Sequence, residues 1–176
     1  GVLALREVER TYRHTFGYSL GYLHTGFEFN DGNESEEWVD TIQLGVHSKY
    51  NAGGWKLRND LTGRASIHNV DRNIEWGTDL GRSEMNGTYE TYSITSDNIL
   101  GKEFGLGKRV NITPYGAFKA MYVTRPTFKE SGLERLEVDG NDAWSVKPRA
   151  GVELNAAVPL GSQSPWQLKG TLDFAY

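Results

Sequence analysis

The 176-residue chain contains no cysteine. Disulfide staples, thiolate metal sites and cysteine nucleophiles are therefore excluded. No stretch supplies 18 consecutive apolar residues, so no transmembrane helix is encoded. Neither sign of charge dominates: 19 Lys and Arg stand against 23 Asp and Glu, a net charge of −4. No strongly basic field is present to hold nucleic acid. The first residues, GVLALREVERTY, lack the long apolar core of a signal peptide, which points to a mature, trimmed or excised chain. Heptads are missing as well. What the chain does have is 21 Gly, 9 Tyr, 7 Phe and 5 Trp, a composition that suits strands and turns better than a helical bundle.

Period-two alternation runs down the whole chain. It is cleanest in a second segment, where Trp38, Ile42, Leu44, Val46 and Tyr50 share one parity and Thr41, Gln43, His47 and Lys49 the other. A third segment sets Trp55, Leu57, Leu61, Ala65 and Ile67 against Lys56, Arg58, Asp60 and Arg64. A sixth sets Val146, Ala150, Val152 and Leu154 against Lys147, Arg149 and Glu153, and a seventh sets Trp166, Leu168, Leu172, Phe174 and Tyr176 against Lys169 and Asp173. Successive strand side chains point to opposite faces, so each segment has one apolar and one polar face. Three segments fit less sharply: a first from about His14 to Phe29, a fourth from about Thr88 to Phe104, and a fifth from about Val110 to Arg125. Ser96 and Asn98 interrupt the fourth, and Pro114 with Gly116 suggests a bulge or bend in the fifth. Residues 1–12 are ambiguous between a linker end, a charged helix and a partial strand; residues 13–176 form the main unit.

The links alternate in length. Asn30–Glu37, Asn69–Gly87 and Pro126–Ala143 are long or polar, whereas Asn51-Ala52-Gly53-Gly54 and Gly105–Lys108 are short. Long links on one side and short turns on the other characterise antiparallel outer-membrane barrels. Trp38, Tyr50, Trp55 and Trp166 stand at segment ends, as interfacial girdle residues do. Alternation alone does not say which face is outside: a lipocalin-like barrel turns its apolar face inward, a membrane barrel outward. Seven segments is an odd count, whereas a complete bacterial barrel has an even one with both termini on the periplasmic side. The expectation is therefore a fragment of a larger barrel. A small complete adhesin or defence barrel needs an eighth strand from residues 1–12.

No catalytic or metal constellation emerges. His14, His24, His47 and His68 are scattered and there is no HExxH. The acidic run Asp31, Asn33, Glu34, Glu36 and Glu37 lacks EF-hand spacing. Gly105-Leu106-Gly107-Lys108 fails the P-loop pattern, with Arg109 following the lysine. Carboxylates cluster on two long links, Glu75, Asp79 and Glu84 on one and Glu130, Glu134, Glu137, Asp139 and Asp142 on the other, without the spacing of an acid–base pair. No nucleophile elbow or dinucleotide fingerprint is present. The reading is a chain that is not an enzyme and needs no cofactor.

The stretch ITPYGAFKAMYVTRPTFKESGLERLEV, Ile112–Val138, resembles the barrel domain of type V autotransporters. The matching residues are Thr113, Pro114, Tyr115, Gly116 and Phe118, then Phe128, Glu130, Ser131 and Gly132. PRAGVELNAAVPL and the strand from Trp166 to Leu172 extend the likeness, so it covers Ile112–Tyr176; the first hundred residues fit by alternation and by GYSLGY, Gly17–Tyr22. The resemblance implies an all-β, antiparallel, up-and-down transmembrane barrel of twelve strands, needing roughly 250–300 residues. About seven of those strands are expected here. It also implies a bacterial outer-membrane location, a passenger polypeptide of the same precursor, and dealings with membrane lipid and the outer-membrane assembly machinery. On that reading Gln43, His47, Lys49, Lys56, Arg58, Asp60, Arg64, Lys119, Lys147, Arg149, Glu153, Lys169 and Asp173 face the pore. Ile42, Leu44, Val46, Val146, Val152, Leu154, Leu168, Leu172 and Phe174 face lipid. A soluble ligand-binding barrel instead predicts that Ile42, Leu44, Val46 and Leu154 line an internal cavity.

Overall fold

A computed structural model describes residues 1–29, 35–75, 81–107, 109–132, 135–159 and 165–175; at 9, 10, 157–159, 165–169 and 173–175 the description is of the backbone. Eleven strands lie among these residues: β1 (Val2–Thr11), β2 (His14–Phe29), β3 (Ser35–Ala52), β4 (Trp55–Glu75), β5 (Arg82–Lys102), β6 (Phe104–Gly105), β7 (Val110–Arg125), β8 (Phe128–Lys129), β9 (Glu137–Val138), β10 (Asn141–Pro159) and β11 (Pro165–Ala175). No helix occurs among the described residues. The sheet order is β1-β2-β3-β4-β5-β7-β10-β11, with β6 also on β7, and β8 and β9 pair separately. Each long strand therefore lies antiparallel beside its neighbours in sequence. Among the described residues β1 and β11 end the path.

The register carries the alternation of single segments across the sheet. Leu20 pairs with Leu44, Leu44 with Gly63, Gly63 with Ile94, Ile94 with Tyr122 and Tyr122 with Trp144. A one-residue slip would turn each apolar set to the other face, and none occurs, so the apolar parities of these strands share one side. That side has no core behind it. Leu44 is 62% exposed and Ile42 56%, and the buried apolar side chains among the described residues are Val39 and Met85.

Eight long strands are present, one more than alternation marks. The addition is β1, whose faces are mixed: Leu3 and Leu5 lie on the same side as Glu7, and Arg6 on the side of Val2, Ala4 and Val8. The strands β4 and β5 also run further than expected, 21 residues each. Most of Asn69–Gly87 continues their ladder, through Asn73 opposite Glu84 and Glu75 opposite Arg82. Alternation loses its thread there because the apolar parity changes, Val70 and Ile74 lying on the side of Arg72 rather than on that of Leu61 and Ile67, while backbone pairing needs no such pattern. Ser96 and Asn98 do not break β5; the Asn98 amide donates to Ser96 Oγ at 2.9 Å on the otherwise apolar side. At Pro114 the ladder with β7 is interrupted: Gly101 pairs with Tyr115 and Phe104 with Ile112, with nothing paired between. Proline has no N–H to offer a ladder, so the bend falls on the strand opposite it, dividing β5 from β6.

Candidate functional site

The candidate site is the polar face of the sheet, and its chemistry is that of paired charges on a wall. One transverse row runs Glu7, Gly17, His47, Asp60, Asp97, Lys119 and Lys147, each opposite the next on the adjoining strand. Glu7 Oε1 is reached by His47 Nε2 at 2.9 Å and by Lys49 Nζ at 2.7 Å. Arg58 Nε donates to Asp60 Oδ2 at 2.6 Å, and Arg149 Nη2 to Asp97 Oδ1 at 2.5 Å. Lys56 pairs with Glu103, and Arg64 Nε donates to Gln43 Oε1 at 2.8 Å. Glu153 Oε1 accepts from the Asn155 amide at 2.7 Å. Such pairs keep long cationic side chains extended over a face where each, exposed singly, contributes little to stability.

The structure thus brings Gln43, His47, Lys49, Lys56, Arg58, Asp60, Arg64, Lys119, Lys147, Arg149 and Glu153 to one side. Lys169 sits opposite Asn155 and Asp173 opposite Gly151 in register; their side chains lie outside the described residues. On the other side Ile42, Leu44, Val46, Val146, Val152, Leu154 and Leu172 are all exposed, while the side chains of Leu168, Phe174 and Trp166 are outside the description. Trp38 stacks on His24 with centroids 5.4 Å apart, Tyr50 meets His14 edge to face at 6.3 Å, and Lys102 lies over Trp55. His14 and His24 therefore stand among the apolar residues rather than on the polar face. Sequence reasoning missed Glu7, Asp97 and Glu103, the partners that organise the cations. Their parity relative to Lys49, Arg149 and Lys56 was the available signal, but Glu7 sat in a segment with no clean alternation.

A second cluster lies at the far ends of β4 and β5, where the link from β7 to β10 folds back over them. Arg72 Nη2 donates to Glu130 Oε2 at 2.6 Å, Arg72 Nε to Oε1 at 3.3 Å, and the Leu136 amide to Oε2 at 3.0 Å. The Arg72 guanidinium, and then the Leu136 amide, hold the Glu130 carboxyl below the usual glutamate range against the opposing effect of burial. Asn86 and Ser131 exchange backbone bonds of 3.2 and 2.8 Å. Phe128 stacks on Tyr89 at 4.5 Å, and Tyr89 on His68 at 4.3 Å. His68 and the Tyr89 hydroxyl both bond Glu37 Oε1, at 2.7 and 2.8 Å. Gly132, at φ 119°, passes where a Cβ would lie 2.7 Å from the Glu84 carbonyl, a position only glycine fills without strain. Phe128, Glu130, Ser131 and Gly132 are thus the contact residues of one clasp, which encloses the fully buried Met85. The Tyr115 ring likewise covers Gly151, whose added Cβ would lie 2.5 Å from the hydroxyl. Among the described residues no group of three or more His, Asp or Glu side chains is placed to hold a metal ion.

A family model described as the autotransporter beta-domain matches residues 1–176. Among solved structures, the translocator domain of the autotransporter NalP from Neisseria meningitidis superposes with a TM-score of 0.69 at 14% identity, covering 98% of this chain and 64% of that one. The chain spans just under two thirds of that structure, and at this identity the likeness speaks for the fold. The outer membrane transporter YddB from Escherichia coli gives a TM-score of 0.46 at 12% identity over 99% of this chain and 26% of its own, too little to carry an argument. No curated protein matches the sequence.

Proposed function

Since this chain belongs to the autotransporter β-domain family, we propose that it supplies part of a closed, twelve-stranded outer-membrane barrel that anchors a passenger polypeptide of the same precursor and helps export it. Residues 13–176 make up the partial barrel and residues 1–12 enter it as a partial strand. The work is transport rather than catalysis. The observation that carries this reading is the continuous apolar side of the sheet, left uncovered at residues such as Leu44 and Ile42. Burying each such side chain is worth roughly 1.5–3 kcal/mol, so a face of this extent in water would be a large cost. Lipid removes it. The polar side then lines a wet lumen, with Gln43, His47, Lys49, Lys56, Arg58, Asp60, Arg64, Lys119, Lys147, Arg149, Glu153, Lys169 and Asp173 on its wall. Ile42, Leu44, Val46, Val146, Val152, Leu154, Leu168, Leu172 and Phe174 meet the acyl chains, and Trp38, Tyr50, Trp55 and Trp166 mark the girdles.

In a bilayer every backbone polar group needs an internal partner, so the free edges of β1 and β11 must be met by further strands. A charged, hydrated lumen lets a hydrophilic chain pass without heavy desolvation. Insertion of such a barrel calls on the outer-membrane assembly machinery. The test is a spin label at Leu44 and, separately, at Gln43, with accessibility to oxygen and to a water-soluble relaxer measured in lipid vesicles. Oxygen access at Leu44 with relaxer access at Gln43 is the expected result. The reverse, or shielding of Leu44 from both reagents in a protein that stays soluble without detergent, overturns the reading.

A further inference from the structure

The polar face has one place where its pairing of charges stops. In the row from Glu7 to Lys147, every acid is engaged: Glu7 by His47 and Lys49, Asp60 by Arg58, and Asp97 by Arg149. Lys119 and Lys147 then stand directly opposite each other on β7 and β10. Like charges in that position repel and destabilise a sheet. Both side chains are exposed, and among the described residues neither has a hydrogen bond or an ion pair. Among the described residues, their neighbours along β7 and β10 on the same face carry no acid: Ala117 and Met121 on β7, Ser145 and Arg149 on β10. Asp97, opposite Lys119 on β5, is the nearest carboxylate in register, and Arg149 holds it at 2.5 Å. Lys119, Lys147 and Arg149 against Asp97 leave two positive charges on this part of the wall.

We propose that Lys119 and Lys147 form an anion-recognition step that takes the carboxylates of an acidic peptide segment lying along the polar face. The proposal rests on that face being the lumen. Peptide is favoured over a small anion by the energetics of the site. A single carboxylate on an exposed ammonium gains too little to hold a free ion. A chain bearing several carboxylates gains from each successive contact at high effective concentration. Lysine is a mobile point charge rather than a rigid fork, so the contact grips without fixing one register. A wall that must let a chain move needs such binding, strong enough to attract and weak enough to release.

The experiment uses the full natural chain reconstituted in planar bilayers, with hexaglutamate, free glutamate at equal carboxylate concentration, or hexalysine added to one side. Hexaglutamate should interrupt the current of the unaltered protein, and free glutamate should not. In K119Q/K147Q, which removes the repulsion and so spares folding, interruption should need on the order of tenfold more hexaglutamate. In K119E/K147E the response should pass to hexalysine. K129Q, altering a lysine of β8 that pairs with Glu137 away from the polar wall, should behave as the unaltered protein. Equal blockade of K119Q/K147Q, equal loss in K129Q, or equal blockade by free glutamate each overturns the proposal. A Gln43 label that reports water while these variants fail sinks the anion step alone; one that reports lipid sinks the lumen reading beneath it.

Discussion

The clasped end of β4 and β5 and the belt around Leu44 are built from the same sheet, yet they are held together by opposite means. At the clasp the link from β7 to β10 covers the polar side, and five of the six buried non-glycine residues among those described collect there: Val39, Met85, Ser35, Asn73 and Glu130. In the belt no side chain of the apolar face among the described residues is buried, and the polar face carries ion pairs that remain half open to water. The clasp supplies its own core from long-range contacts. The belt leaves half of its cohesion to whatever solvent surrounds it. One sheet thus joins a part that covers its own apolar side chains to a part that leaves them uncovered. The lengths agree: about 9–11 tilted residues span a bilayer, so roughly half of each 21-residue strand, β4 and β5, is available to the clasp.

Changing a residue in each half tests whether the two respond to different solvents. The largest effect is expected for Leu44→Lys, at about 2–4 kcal/mol if the position lies near the bilayer centre. Urea unfolding in lipid vesicles would show it, with Gln43→Lys near zero as the partner measurement; equal effects would remove the distinction between the faces. Next comes Glu130→Gln, which weakens a charge-assisted bond to Arg72 and should cost about 1.5–3 kcal/mol locally. Hydrogen exchange should quicken at the amides of Asn86 and Ser131 while the β2–β3 ladder stays protected. Acid should act on the same bond. Because the folded carboxyl of Glu130 is held below its ordinary range, its contribution is intact above that range and is lost as pH falls through the folded value. Exchange at Asn86 should therefore quicken only in strong acid, and Glu130→Gln should lose that dependence. The smallest effect belongs to Lys49→Gln, which removes an exposed bond to Glu7 and should leave the urea midpoint in lipid vesicles close to that of the unaltered protein.

The belt was legible from the sequence and the clasp was not, for a physical reason. Ile42, Leu44 and Val46 alternate with Gln43, Gly45 and His47 because a sheet with one apolar and one polar face imposes period two on every strand it contains. The pattern is local; β2 and β7 begin and end where it predicts and β4 begins there, while β3 runs a few residues past its expected ends. The extra length of β4 and β5 escaped because the apolar parity changes within β4: Leu61, Ala65 and Ile67 lie on one side, Val70 and Ile74 on the other, the side the clasp covers. Escaping in the same way, β1 sets Leu3 and Leu5 beside Glu7. The clasp joins residues far apart in the chain, 58 positions between Arg72 and Glu130, and no periodicity encodes such a meeting. Phe128, Glu130, Ser131 and Gly132 stood out through family likeness. Their contacts with Tyr89, Arg72, Asn86 and Glu84 supply the reason that likeness could not.

The nearest-neighbour order of the long strands has a kinetic meaning. Each new strand needs only the one synthesised before it, so loop closure stays cheap at every addition and the sheet can grow by successive hairpins. A growing sheet of this kind always offers a single fresh edge, and that edge is the template for the strand that follows. The sequence-distant joint among the described residues is the clasp. Assembly that proceeds in this order leaves its slowest, most entropically demanding encounters to the end, when the rest of the wall is already in place to guide them.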